Sequence, residues 1–250
     1  MSLSINFISW NCRGGLSYPR KQRTIRSLIS KHCLSVIGLI ETKRELLDDF
    51  LISRLWPNCN YGYCFSPSVG ASGGLLCIWD KTIFTPSRIV TFPRWISIDF
   101  EISSTPIRFI LVYGCSMAIE RVALWPNILS ELQSDRLCFL VGDFNEILHP
   151  SDRLNCSGYS SGMMQFLDFI QSSSLVEINN QGRLFTWYNN QSRSKIDRCF
   201  LSPSGFITWP NMTLDALPRN FSDHTPLLFR SDTVVDWGPK PFKSINAWWM

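Results

Sequence analysis

The chain has 250 residues, 45% of them hydrophobic, 13% aromatic and 18% charged, enough to bury a sizeable core and to exclude disorder as a description of the whole. The longest apolar runs, such as Phe109 to Tyr113, are five residues, far short of the roughly 20 that cross a bilayer, so no membrane span is expected. The net charge is only +4, yet residues 1–40 carry Arg13, Arg20, Lys21, Arg23, Arg26 and Lys31 and no Asp or Glu.

In chain order, period-two and fully apolar runs predict strands over 5–10 and 36–41. Between them a helix is predicted over 20–32, with Ile25, Leu28 and Ile29 on one face. A helix over 45–56 follows, then strands over 74–80, 96–102 and 107–114. A helix over 120–132 must be started or kinked by Pro126. The apolar run 137–143 reads as a strand, and the Ser/Gly/Asn-rich stretch 151–161 as a loop. Met163, Phe166, Leu167 and Ile170 fall at i, i+3, i+4 and i+7 of a helix over 162–172. Strands over 195–201 and 226–230 complete the pattern, which stops there. Many strands with a few helices between them predict one α/β domain over 1–230 and a tail or linker over 231–250. No secretory signal is expected at the N-terminus. The nine cysteines show no C-x-x-C pair and no Cys/His zinc spacing; most sit in apolar runs, so a reducing intracellular setting without structural zinc is expected.

The polar residues at the ends of these runs are the ones placed to meet a ligand. Asn11 follows the first strand, Glu41 ends the second, and Asp143 and Asn145 end the run over 137–143. In extended chain the Asp-x-Asn spacing puts both side chains on one face, about 7 Å apart. Singly, each has an ordinary structural reading: Asp143 as a turn cap, His224 as a hydrogen-bonded surface histidine. The basic N-terminal segment reads equally as a solvated helix face or as a site for polyanions.

Taken together, six strings span residues 9–226: Ser9-Trp10-Asn11, Gly38-Leu39-Ile40-Glu41-Thr42-Lys43, Val112-Tyr113-Gly114, Val141-Gly142-Asp143-Phe144-Asn145, Lys195-Ile196-Asp197-Arg198 and Ser222-Asp223-His224-Thr225-Pro226. Their order and spacing resemble the endonuclease/exonuclease/phosphatase superfamily. Within it, Trp10-Asn11-Cys12-Arg13-Gly14, the run from Gly142 to Leu148, Phe185-Thr186-Trp187 and Pro241-Phe242-Lys243 with Trp248-Trp249 resemble the endonuclease domains of plant LINE-type (non-LTR) retrotransposon polyproteins.

The resemblance implies a four-layer α/β sandwich, two packed mixed β-sheets flanked by helices. It implies a magnesium-dependent phosphodiester hydrolase that nicks DNA, with Mn²⁺ as a possible substitute. Such chemistry must neutralise the phosphodiester charge, activate a water in line and stabilise the leaving oxygen. By the resemblance, Glu41 holds Mg²⁺ with Asn11 beside it and Asp223 near the metal. Asp143 orients and deprotonates the attacking water, and Asn145 holds that water or a phosphate oxygen. His224, hydrogen-bonded to Asp197, stays protonated and donates to a non-bridging oxygen, and Tyr113 donates its hydroxyl to the phosphate.

Arg13 stands where abasic-site repair enzymes carry an acidic second metal ligand, which points to a single Glu41-centred metal. Cys115 follows Tyr113-Gly114 where relatives often have Pro. Arg193, Lys195 and Arg198 around Asp197, with Arg13 and the basic segment, are expected to straddle a phosphate backbone. Trp187 is expected as core or support, with base stacking as the other reading. The resemblance also implies a monomer, once fused to a reverse transcriptase, and a nuclear location. Two other readings stay open: a phosphatase or phosphodiesterase of the same fold acting on another phosphoester, and a folded but inactive nucleic-acid-binding remnant.

Overall fold

A computed structural model describes residues 4–70 and 72–232. The chain runs β1 (Asn6–Asn11), α1 (Pro19–His32), β2 (Val36–Ile40), α2 (Asp49–Leu55), β3 (Tyr61–Val69), β4 (Ser72–Asp80), β5 (Arg88–Phe92), β6 (Trp95–Ile102) and β7 (Thr105–Tyr113). It continues through α3 (Ala118–Leu132), β8 (Leu137–Asp143), α4 (Ser161–Ser173), β9 (Val176–Glu177), β10 (Asn180–Gln181), β11 (Trp187–Tyr188) and β12 (Arg193–Ser194). The last elements are β13 (Asp197–Leu201), α5 (Pro203–Thr208), β14 (Thr213–Ala216) and β15 (Leu227–Arg230).

Two mixed sheets form. One has the order β10-β14-β15-β1-β2-β4-β3 and the other β5-β6-β7-β8-β13-β9, with β11 and β12 as a separate two-stranded ribbon. The central strands β2, β8 and β13 are buried along their whole length because both faces of the sheets are covered there. Between the sheets lie Phe7, Ile40, Leu75 and Cys77 from the first, against Ile98, Phe109, Leu111, Phe139 and Val141 from the second. On the outer face of the first sheet, Ile25 and Ile29 of α1 and Leu51, Ile52 and Leu55 of α2 pack on Ile8, Trp10, Ile37 and Leu39. On the outer face of the second, Trp125 and Ile128 of α3 and Phe166 and Phe169 of α4 pack on Ile110, Leu140 and Phe200. The layers are therefore α/β/β/α, as the α/β sandwich reading requires. Phe7 anchors the middle, its ring centroid 4.8–5.2 Å from those of Phe109, Phe139 and Phe229; each fully buried Phe contributes about 1.5–3 kcal/mol. The sheets approach closely at Gly38, where an added Cβ would sit 2.7 Å from Leu111 Cδ1.

The differences from expectation have local causes. β3 and β5 are unpredicted strands at sheet edges, where one side needs no partner; β3 therefore tolerates Pro67, and β5 is largely exposed. Pro126 lies inside α3, which begins at Ala118 rather than at the proline. The helix expected over 45–56 starts only at Asp49, because the Asp48 side chain caps it by accepting from the Leu51 N–H. All nine cysteines are free thiols. No helix among the described residues is long and apolar enough to cross a membrane. The expected tail, with Pro241-Phe242-Lys243 and Trp248-Trp249, lies outside the described residues but for its first two positions.

Candidate active site

Strand parity carries the polar residues to one place. On β1, Phe7 faces the inter-sheet core, so Asn11, four residues on, shares its face. The same alternation places Tyr113 with Phe109 and Leu111 on β7, Asp143 with Phe139 and Val141 on β8, and Asp197 with Cys199 and Leu201 on β13. Register then sets Tyr113 beside Asp143 across the parallel β7–β8 pair, and Asp143 opposite Asp197 across the antiparallel β8–β13 pair. Glu41 lies one residue past Ile40, and strict alternation would turn it to the helical face. Its left-handed backbone, φ 54°, breaks the alternation and swings the carboxylate to the inter-sheet end. Gly142 supplies another unusual turn: at φ 140°, an added Cβ would collide with the Val112 carbonyl oxygen, so only glycine sets Asp143 in register.

Two carboxylates opposite each other, Asp143 and Asp197, repel unless a cation lies between them. His224 is that cation. Its Nδ1 is 2.9 Å from Asp197 Oδ2, and its Nε2 is 3.8 Å from Asp143 Oδ2. Burial pulls the imidazole pKa down, but the charge of Asp197, then that of Asp143, outweighs it and raises the pKa to about 10. Asp143 is 1% exposed; burial pushes its pKa up to about 7, against the favourable charge of His224. Its Oδ2 accepts from Asn11 Nδ2 at 2.8 Å and its Oδ1 from the Asn145 N–H at 2.9 Å. A base that titrates near neutrality thus adjoins an acid that stays protonated there.

Glu41 Oε1 accepts from the Tyr113 hydroxyl at 2.9 Å and from Asn11 Nδ2 at 3.1 Å. Burial, and next the Glu41 charge, push the tyrosine pKa up, so the hydroxyl remains a donor. Glu41 Oε2 has Lys43 Nζ at 3.7 Å, and the side chain is partly open to the cleft. A hard carboxylate only partly exposed at a cleft floor suits Mg²⁺, which takes one or two carboxylates and keeps several waters. Ligand atoms of Asp143, Asp197 and His224 also lie within 4.8 Å of one another. That trio suits a metal poorly, because the imidazole is held as a cation by the two carboxylates.

Several placements depart from expectation. Asn11 turns its amide nitrogen, not its oxygen, to Glu41 and Asp143, since its Oδ1 accepts from the Arg13 N–H at 3.0 Å; it bridges the two acids instead of offering an oxygen to a metal. The extended chain ends at Asp143 and does not reach Asn145: Asn145 has φ 52°, and its Nδ2 donates to the Gly114 carbonyl at 2.8 Å. Asp223 lines the same cleft, but its Oδ2 pairs with Arg13 Nη1 at 2.7 Å and accepts from Trp187 Nε1 at 3.1 Å. Arg13 therefore sits at the cleft rim beside the site, and Trp187 supports Asp223.

Of the basic residues expected on a phosphate track, Arg198 is 1% exposed and binds Asp152 and Glu177. Lys195 is buried and pairs with Glu177 at 2.8 Å. For Arg198 alternation explains this: Asp197 faces the site, so its neighbour Arg198 points away. Arg193 is exposed on the ribbon, its guanidinium 5.9 Å from the Tyr188 ring centre. Within the basic segment, Lys21 is buried, donating to the Cys12 and Gly14 carbonyls, and Arg26 donates to the Ser53, Trp56 and Pro57 carbonyls. Both brace loops.

The cleft, about 430 Å³, is also lined by Lys43, Ser116, Arg153 and Ser194. None of these four stands out in sequence as a site residue. Lys43 had a signal, two positions after Glu41 in the same turn. Arg153 had none, in a loop without pattern.

The family described as Endonuclease/Exonuclease/phosphatase family matches residues 8–224. No curated protein matches the sequence significantly. Among solved structures, the AP endonuclease LMAP from Leishmania major aligns with a TM-score of 0.71 at 16% identity, covering 91% of this chain and 87% of that one. A 3′ phosphatase, NExo, from Neisseria bound to a product DNA hairpin aligns with a TM-score of 0.66 at 18% identity, covering 90% and 98%. Truncated Caenorhabditis elegans TDP2 aligns with a TM-score of 0.63 at 15% identity, covering 91% and 97%. These likenesses establish a shared fold.

Proposed function

Because this chain belongs to the Endonuclease/Exonuclease/phosphatase family, we propose that it is a divalent-metal-dependent phosphodiester hydrolase that nicks DNA. The observation that carries this reading is the convergence on one cleft of Glu41, the buried Asp143 and His224, with Asn11 bridging the two acids and His224 held between Asp143 and Asp197. Glu41 would hold Mg²⁺, which supplies charge neutralisation for the phosphate and leaving oxygen when bound. Asp143 takes the proton of the attacking water. Asn11 keeps Asp143 and Glu41 a fixed distance apart through one amide. His224 donates from Nε2 to a non-bridging oxygen, and Asp197 keeps its ring oriented through Nδ1.

DNA as substrate is supported by the exposed arginines at the cleft rim and by the DNA hairpin bound to the similar Neisseria phosphatase. A retroelement origin is supported by the strings around Asn11, Asp143 and Trp187 alone. Reading the genomic frame beyond Met250 for a reverse transcriptase tests it.

Conversion of supercoiled plasmid to nicked circles tests the hydrolase reading. Activity should require Mg²⁺ or Mn²⁺ and vanish in EDTA. Glu41→Gln keeps the shape but removes the charge, so its rate should fall steeply and recover in part at high metal. Undiminished nicking in EDTA would contradict the metal mechanism, and faster turnover of a small phosphoester than of DNA would replace the substrate.

A further inference from the structure

A second groove, of about 740 Å³, adjoins the catalytic cleft and shares Arg13 with it. Tyr18 and Phe221 line it and are 69% and 47% exposed. Neither ring has a stacking partner among the described residues. Arg20 and Arg23 line the same groove, their side chains exposed and without hydrogen bonds or ion pairs to described residues. No acidic side chain lines it.

Resting on the DNA-nicking reading, we infer that this groove binds the base of an unpaired nucleotide next to the phosphate being cut, so that the preferred substrate is DNA with a single-stranded or bubbled segment at the nick. Exposed rings offer a flat apolar face, and every base has a π-face to lay against one, whatever its sequence. A base inside a duplex is already stacked on both neighbours and must leave the helix to use such a face, which is easiest where it is unpaired. Arg20 and Arg23 supply the charge that tracks the backbone of the same strand. The shared Arg13 sets the groove next to the cleft, so the base recognised belongs to a nucleotide near the scissile phosphate.

The test measures binding in EDTA, so that the DNA stays intact, with 2-aminopurine placed in a short bubble or in the same position of a fully paired duplex. The parent should bind the bubble about tenfold or more tighter than the duplex, with the probe's fluorescence quenched by stacking. The Tyr18→Ala/Phe221→Ala double variant should lose that preference and the quench. Tyr18→Phe, which keeps the ring, should retain both. Both side chains are exposed, so the double variant should melt with the parent. Equal binding of the two DNAs by the parent, or an unchanged preference in the double variant, would overturn the inference and leave the hydrolase reading standing. A parent that neither binds nor nicks any DNA would overturn both.

Discussion

His224→Ala is expected to lower the nicking rate on the order of 10²- to 10³-fold, the usual loss when one preorganised donor to a developing charge is removed. The ring is nearly buried and lies between two carboxylates, so its removal also leaves Asp143 and Asp197 facing each other without a cation. Asp197→Asn isolates the electrostatic part. Asp197 makes the largest contribution raising the His224 pKa to about 10, against burial, which lowers it. Without that charge the pKa falls toward or below the ordinary histidine value. Because the protonated form is the active one, activity is lost as pH rises through this pKa, so the alkaline limb should move to lower pH. The double variant should be less impaired than the two single losses multiplied, since both remove one imidazolium. Multiplicative losses with an unmoved alkaline limb would make Asp197 a purely structural residue.

Arg198→Ala is expected to destabilise the protein by about 3–5 kcal/mol, the cost of leaving buried charges without their partner. The Arg198 Nη2 atom lies 2.5 Å from Asp152 Oδ2 and Nη1 lies 2.6 Å from Glu177 Oε1. Asp152 in turn accepts from the Leu148 and His149 N–H groups that follow β8. The network thus ties β13 to the loop beyond Asp143. Urea unfolding should show a lower midpoint at an unchanged slope. An Arg198→Ala protein as stable as the parent but weaker on DNA would restore the phosphate-contact reading.

The parts of the fold legible in sequence are those with unbroken apolar pattern. The run 137–143 matches β8 to the residue, and α1 begins one residue before its predicted start. Both are central or closely packed elements, in which burial on each face writes itself into the residue types. Edge strands β3 and β5 lack that imprint, because half of their backbone groups need no partner. The site residues stood out because polar groups end otherwise apolar strands. Their orientation was less legible. Parity alone puts Asp197 toward the site and Arg198 away from it, whereas proximity in sequence groups them. No periodicity encodes the left-handed turns at Glu41 and Asn145. The Arg13–Asp223 pair joins residues 210 positions apart, and only the packing of β1 against the segment before β15 reveals it.

The central claim, that Asp143 activates water at a metal-dependent site for DNA cleavage, is tested most directly by comparing parent and Asp143→Asn prepared identically. Each would be given end-labelled DNA with Mg²⁺ from acid to alkaline pH. Asparagine preserves the shape and the contact with Asn145 but cannot take a proton. The parent should cleave with a rate that rises through about pH 7, where Asp143 ionises; the variant should lack that rise and be slower by on the order of 10²-fold or more on the alkaline side, the gap closing at acid pH where Asp143 is protonated in the parent. Equal rates in the two proteins on the alkaline side, or a parent rate flat across neutral pH, would contradict the account.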